Sequence, residues 1–456
     1  MSVQQRFLAE LVDIVGPEHV LVDADVTAGY ATDWTGRYVG STPAVVRPRT
    51  TAEVASVIGA ARAARVPLVP QGGNTGMVGG SVPLAGEVVL SLRRLSEIEP
   101  VDRLASQVTC GAGVVLADLH RAAATAGLTF GVDLGARDSC TVGGMIATNA
   151  GGIHVIAHGS MRDQVVGVEA VMADGTVVEH LAGLMKDNTG YDLPRLLTGS
   201  EGTLGIVTRA RLRLRPIPTH RLVAMCACPG PEALVEAATV YRDRVSGLTA
   251  MEMVLGPTID LVSEYLGRRP PVEGPALLLV EAKGMHDPTD EVAAATDVAG
   301  PSVLDVAVAQ DDRSAAELFA FRERVTEAVN VGPPPHKLDV TLPAAELAAF
   351  PAAVSALVGR LAPGAAVHLF GHVGDGNVHV NLKPPPGEDT LGDNVDAAVF
   401  ELVSSLGGSI SAEHGIGTAK KAWLHLNRSP AEIAVFRAIK HALDPDGILN
   451  PNVLLP

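Results

Sequence analysis

Two histidines on a hairpin and an acidic residue beside a third histidine carry the most specific chemistry in this sequence. Residues 367–382 read VHLFGHVGDGNVHVNL. Asp375-Gly376 is a favoured dipeptide for a two-residue type I′ turn. With those two residues as the turn, Gly374 pairs with Asn377, Val373 with Val378 and His372 with His379. Opposed residues have Cβ atoms about 4.5–5.5 Å apart on one face, so two imidazoles can share a cation. Strand alternation adds Phe370 and Asn381 to that face. A third ligand is needed, and Glu413 in SISAEHGIG is the candidate, with His414 next to it as an acid/base group. Two histidines and a carboxylate leave a divalent ion open to substrate. That N/O set suits zinc, manganese or iron.

A second constellation is built from small residues. Residues 69–80 read VPQGGNTGMVGG. Glycines at 72, 73, 76, 79 and 80 let backbone N–H groups turn towards one point without Cβ obstruction, which is what a diphosphate requires. Neither G-x-G-x-x-G nor a Lys-Ser/Thr pair is present here, which excludes the Rossmann fingerprint and the Walker loop at this site. Taken alone, the run could be a Gly-rich turn. Two further stretches argue otherwise: DLGARDSCTVGGMIATNAGG (133–152), with Thr141, Gly143, Gly144, Thr148 and Asn149, and KDNTGYDLPRLLTGSEGTLGIVT (186–208). Such segments, far apart in the chain, imply a long cofactor lying across one domain.

The elements that must hold these residues are readable in outline. TAEVASVIGAARAARV (51–66) has helical periodicity, with Thr51 as a plausible cap, and an apolar strand leads into the glycine loop. LADLHRAAATAGL reads as a second helix, and Asp174-Gly175 as a hairpin turn. Pro216 and Pro218 close the first region. From about 219 to 385, strands alternate with Ala-rich helices, which predicts an α+β domain with an antiparallel sheet covered by helices on one face. The expected division is 1–218, 219–385 and a mostly helical C-terminal segment, 386–456.

The 456 residues are 47% hydrophobic with a formal charge of −16. That is enough apolar material for two or three cores. The absence of a dense Lys/Arg block argues against a nucleic-acid or anionic-membrane surface. Four cysteines are too few for a disulfide framework, and no stretch reaches the apolar length of a membrane helix. These features point to a soluble cytoplasmic protein.

Six segments, PQGGNTGMVGGSVP, IATNAGG, KDNTGYDL, TGSEGTLGIVT, GHVGDGNVHVN and SISAEHGIG, occur in an order that resembles the FAD-linked 2-hydroxy acid dehydrogenases. These belong to the vanillyl-alcohol oxidase-type flavoprotein superfamily, and the similarity is greatest to the D-2-hydroxyglutarate dehydrogenases. The resemblance covers nearly the whole chain. It implies an α+β, vanillyl-alcohol oxidase-type FAD-binding fold with an antiparallel-sheet substrate (cap) domain.

It also implies FAD held along Pro70, Gly72, Gly73, Asn74, Thr75 and Gly76. Further contacts would come from Leu134, Gly135, Ser139, Thr141 and Gly144, then Thr148, Asn149 and Gly152, and finally Glu201, Gly205, Ile206 and Asn450. The metal falls to His372, His379 and Glu413, with zinc the first choice, and the catalytic base to His414. Substrate contacts fall on Arg322, Thr326, Lys337 and Asn381. The implied reaction is hydride transfer from a D-2-hydroxy acid to flavin N5. Two cations and a metal suit a dicarboxylate such as D-2-hydroxyglutarate; the alternative is D-lactate or glycolate oxidation on the same fold. An electron-transfer flavoprotein, a quinone or another acceptor would reoxidise the flavin, and a homodimer is compatible with the sequence. Asp138, His154 and His158 depart from the family pattern near the flavin.

Overall fold

The computed structural model describes residues 3–456, which gather into two compact units. One comprises the chain up to Gly152, Gly159–Ile217 and Glu413–Pro456; the other comprises Ile153–His158 and Pro218–Ala412. The expected C-terminal segment 386–456 is therefore divided between Ala412 and Glu413, and a six-residue piece inside the first region clusters with the second unit. Both junctions fall at the glycine-containing motifs NAGG and SISAEHGIG, which read as binding segments rather than as linkers.

In the first unit, β1 (Val20–Leu21), β2 (Val45–Val46), β3 (Leu68–Gln71) and β4 (Val88–Ser91) form a sheet in the order β1-β2-β4-β3. The β2–β4 and β3–β4 pairs are parallel. β2 and β4 are short, fully buried runs, as parallel strands are. The helix Thr51–Ala64 lies on this core; its cap is Thr50, one residue before the expected Thr51, and accepts from the Glu53 N–H. Thr51 instead donates its hydroxyl to Glu169.

A second sheet joins β5 (Gln107–Gly111), β6 (Leu128–Phe130), β7 (Val165–Val171), β8 (Val177–His180) and β9 (Ile206–Pro216). The Asp174-Gly175 turn connects β7 to β8 as expected. β9 alternates strictly: Ala210, Leu212 and Leu214 are buried, while Arg209, Arg211 and Arg213 lie on the other face.

The second unit is built on a seven-stranded antiparallel sheet. Its strands are β10 (His220–Cys228), β11 (Leu248–Leu255), β12 (Ala276–Gly284), β13 (Asp305–Val308), β14 (His336–Thr341), β15 (Ala366–His372) and β16 (Asn377–Lys383), in the order β13-β10-β12-β11-β15-β16-β14. Helices cover both faces rather than the single face expected. Tyr241, on the helix Pro231–Arg244, meets Cys226 with its hydroxyl 3.3 Å from the thiol. The neighbouring Met225 and Ala227 point the other way and share a core with Phe319 and Phe321 of the helix Asp312–Glu323. The continuous apolar run in β12, buried on both faces, is the sequence trace of this double cover.

Candidate active site

The first unit assembles the small-residue segments into a cradle. β3 ends in Gln71, whose amide donates to the carbonyls of Tyr30 (2.8 Å) and Ser81 (3.0 Å), fixing where the glycine loop leaves and returns. Asn74 adopts φ 56° within it, donates to Thr32 O and accepts from the Ser81 hydroxyl. Two of the loop glycines are sterically required. A Cβ on Gly72 would lie 2.2 Å from Thr141 Oγ1, and one on Gly73 would lie 2.1 Å from the Ser139 carbonyl. Around Gly76 there is open space, and Thr75 is half-buried.

The second segment flanks this loop. Leu134 packs against the core, Gly135 and Ser139 are exposed, and Thr141 precedes the helix Val142–Thr148. Some expected ligand residues turn out to build the cradle rather than face into it. The Thr148 hydroxyl donates back to Gly144 O at 3.1 Å, and Asn149 ends the helix in a left-handed conformation while its side chain accepts from Ser160 and Arg162. The Ile206 side chain lies in the hydrophobic core, and Gly205 sits against Met172 and Leu197.

Glu201 is a hub. Its two carboxylate oxygens accept the N–H groups of Ile416 and Gly417, each at 2.8 Å, and its carbonyl accepts from Asn450 Nδ2 at 2.7 Å. Burial pushes the Glu201 carboxyl up, against those two N–H donors. Pro70 packs beside this turn, close enough that a Cβ on Gly202 would strike its ring.

FAD fits these residues on a direct observation. Thr141 Oγ1, against Gly72, and Asn450 Oδ1, whose amide nitrogen holds Gly80 O, are buried with no hydrogen-bond partner among the described residues. A buried polar atom left unpaired costs about 1–3 kcal/mol, so two at one glycine cradle call for a polar ligand. Cys140, beside it, is no nucleophile: burial pushes its thiol up to about 12. Asp138 is exposed.

Glu413 and His414 close this unit's contribution. Glu413 Oε2 accepts the Gly152 N–H at 3.0 Å, which aims the carboxylate from the NAGG turn, and both residues are half-buried. Gly152 itself has φ 91°, and a Cβ there would lie 2.0 Å from Asp133 O.

In the second unit one sheet face carries the chemistry, and its register differs from expectation. β15 and β16 are joined by four residues, Val373–Gly376, so His372 opposes Asn377 and Phe370 opposes His379. The two imidazoles still share a face, one step apart along the strands, with ring centroids 5.4 Å apart. β14 and β11 add partners that sequence reading missed. Asp339 opposes His379, and Glu252 opposes His372.

Glu252 is fully buried. Its Oε1 lies 2.6 Å from His372 Nδ1, and its Oε2 accepts from Arg322 Nε at 2.6 Å. Burial acts to raise its pKa, but His372 and Arg322 outweigh it and hold the carboxyl below its ordinary range. Asp339 Oδ1 lies 3.4 Å from His379 Nδ1 and accepts from Asn377 Nδ2 at 2.7 Å. Burial lowers the pKa of His379, with Asp339 opposing, so its neutral form is favoured. A carboxylate on each Nδ1 fixes the tautomer and leaves Nε2 with the lone pair, the arrangement usual behind metal-binding histidines. Asp339 and His379 in this unit, and Glu413 and His414 in the other, each form a pair of potential ligand atoms within 4.8 Å.

Arg322, at the end of the helix Asp312–Glu323, stacks on the Phe370 ring at 4.7 Å and reaches His372 Nε2 at 3.3 Å. With Nε on Glu252 and Nη2 against His372, Nη1 is what it can best offer an anion. Thr326 is half-buried on the next helical turn, Val325–Ala328. Lys337 and Asn381 are directly opposed across β14 and β16. Burial pushes the Lys337 ammonium down to about 8, with Glu327 pulling the other way. His154 is accounted for differently: its Nε2 lies 3.0 Å from buried Glu281 and 3.2 Å from Lys283.

Comparison with known proteins supports the flavin assignment. Residues 42–180 match an FAD binding domain, and residues 217–454 match the C-terminal domain of FAD linked oxidases. The D-2-hydroxyglutarate dehydrogenase of Bos taurus mitochondria is 38% identical over all of this chain and 84% of its own. That of Arabidopsis thaliana is 37% identical over all of this chain and 82% of its own. A Xanthomonas citri enzyme of the same name is 38% identical, covering 93% of this chain and 92% of its own. The chain belongs to the D-2-hydroxyglutarate dehydrogenase family. It is a flavoenzyme of the FAD-linked oxidases, and among solved structures it shares the fold of 4-ethylphenol oxidase from Gulosibacter chungangensis (TM-score 0.79, 19% identity, 100% of this chain and 98% of that one). p-Cresol methylhydroxylase is similar to the same degree (TM-score 0.79, 16% identity, 99% and 96%). These neighbours establish the vanillyl-alcohol oxidase-type fold.

Proposed function

We propose that this flavoenzyme oxidises D-2-hydroxyglutarate to 2-oxoglutarate, with a divalent ion, zinc first, held by His372, His379 and Glu413. FAD when bound supplies a hydride acceptor, and the ion a Lewis acid for the substrate hydroxyl. The remaining work falls to side chains. Arg322 and Lys337 bind carboxylates, the first through the guanidinium N–H groups that Glu252 and His372 do not use and the second as a point charge. Thr326 and Asn381 add neutral hydrogen bonds. His414 takes the hydroxyl proton.

The observation that carries the reading is the sheet face itself. Two imidazoles oriented by buried carboxylates share it with Asn381 and Lys337, and Arg322 stacks on its Phe370. A monocarboxylate needs one cation; two, on different elements, suit a diacid. The D configuration rests on the names of the relatives. An electron-transfer flavoprotein or a quinone carrier would complete the cycle.

Anaerobic mixing of the holoenzyme with D- and L-2-hydroxy acids tests this. D-2-hydroxyglutarate should bleach the flavin band fastest, and chelation should slow it. Faster bleaching by D-lactate or glycolate would overturn the substrate, and full activity after metal removal would overturn the ion.

A further inference from the structure

His368 lies on the same sheet face as the groups above, four residues before His372, and nothing so far uses it. It directly opposes Asn381, which in turn opposes Lys337, so the three form one cross-strand row over β15, β16 and β14. Opposed side chains in such a row have Cβ atoms about 4.5–5.5 Å apart. His368 is 6% exposed, and its Nδ1 is buried with no hydrogen-bond partner among the described residues. The ammonium of Lys383, on the same face, acts on it, its Nζ held by Val331 O at 2.6 Å. Burial and that neighbouring ammonium push His368 down to about 4, so it is a neutral donor at physiological pH. The row thus gathers an ammonium, an amide and an unpaired imidazole nitrogen in a buried place. That combination suits an anion.

The spacing selects which anion. The row containing His379 is two residues along the strands, roughly 7 Å at about 3.4 Å per residue. Oxidation must occur near the imidazoles at 372 and 379. The two carboxyl carbons of a five-carbon diacid are separated by four C–C bonds of about 1.5 Å, an extended span of about 5 Å. A diacid therefore reaches from one row towards the next; lactate and glycolate do not. Building on the substrate reading above, we propose that His368 is a specificity-determining residue whose imidazole N–H binds the far carboxylate of the hydroxy diacid, beside Asn381 and Lys337.

The test is a substrate ratio measured on the holoenzyme. For wild type, His368→Leu and His368→Asn, kcat/KM is determined with D-2-hydroxyglutarate and with D-lactate, alongside the Kd of glutarate read from the flavin spectrum. His368→Leu should lower the diacid-to-lactate ratio about tenfold and weaken glutarate to match, and His368→Asn, which keeps a donor, should recover part of the loss. Should the leucine variant not fold as a flavoprotein, the asparagine variant decides by the same ratio. An unmoved ratio in a wild type that prefers the diacid overturns the role of His368 alone. A wild type that prefers D-lactate overturns the substrate reading, and this proposal with it.

Discussion

The two units contribute to function by opposite means. In the first, the cradle is made of what is missing: Gly72, Gly73 and Gly152 leave no room for a methyl group. In the second, the face is made of side chains. His372, His379, Glu252, Asp339, Lys337 and Asn381 come from four strands, and a carboxylate holds each of the two imidazoles. A cofactor that stays bound through every turnover is served by close backbone approach. A substrate that must be told apart from its analogues is served by side-chain groups whose number and spacing can match it.

That contrast says where adding atoms should hurt and where removing them should. The largest effect is expected from Gly73→Val, whose first added carbon meets the Ser139 carbonyl at 2.1 Å. The purified protein should lack flavin absorbance, and a yellow, fully loaded variant would break the comparison. Next, His379→Ala should lower turnover by at least about 10³-fold and strip the metal, as measured by elemental analysis, while flavin content stays normal. Glu252→Gln keeps the shape but weakens the charge behind His372. Metal affinity should fall about 10–100-fold, whereas Glu252→Ala should also cost about 3–5 kcal/mol of stability in denaturant titration, by leaving Arg322 buried and unpaired.

A smaller effect concerns pH. The Lys337 pKa is lowered, so the group is charged below about 8 and neutral above it. The diacid-to-lactate ratio of kcat/KM should hold at pH 7 and decline as pH rises through about 8, and Lys337→Ala should flatten that profile. The smallest is Thr141→Val. If its unpaired hydroxyl serves the cofactor, FAD affinity should drop by about 0.5–1.5 kcal/mol while the apo protein becomes no less stable.

How much of this could be read from the chain follows the same division. The cradle was legible because its segments are local: VPQGGNTGMVGG predicts a strand and an N–H-rich loop without knowledge of anything distant. What was not legible there is that Glu201 and Asn149 hold the loops together, because their partners at Ile416 and Ser160 come from other segments through folding. The hairpin was located correctly and its register missed. Asp375-Gly376 signals a two-residue turn, but Asp375 accepts from the Asn377 N–H, and Gly376 fits against Leu342 O at a distance no Cβ would allow. Pairing with β14 and β11 then fixes the ladder, and those strands are remote in sequence. Glu252 was invisible for that reason. It sits in the apolar run LTAMEMVL, 120 residues from the histidine it orients.

Because one carboxylate serves both an arginine and an imidazole, positions 252, 322 and 372 are not independent as the lineage drifts. A descendant that exchanges the acid must carry compensating replacements at both other sites or abandon the chemistry. Among distant cousins these three columns should therefore mutate as a block, and a branch in which they have jointly become apolar would mark a lineage that has left this reaction behind.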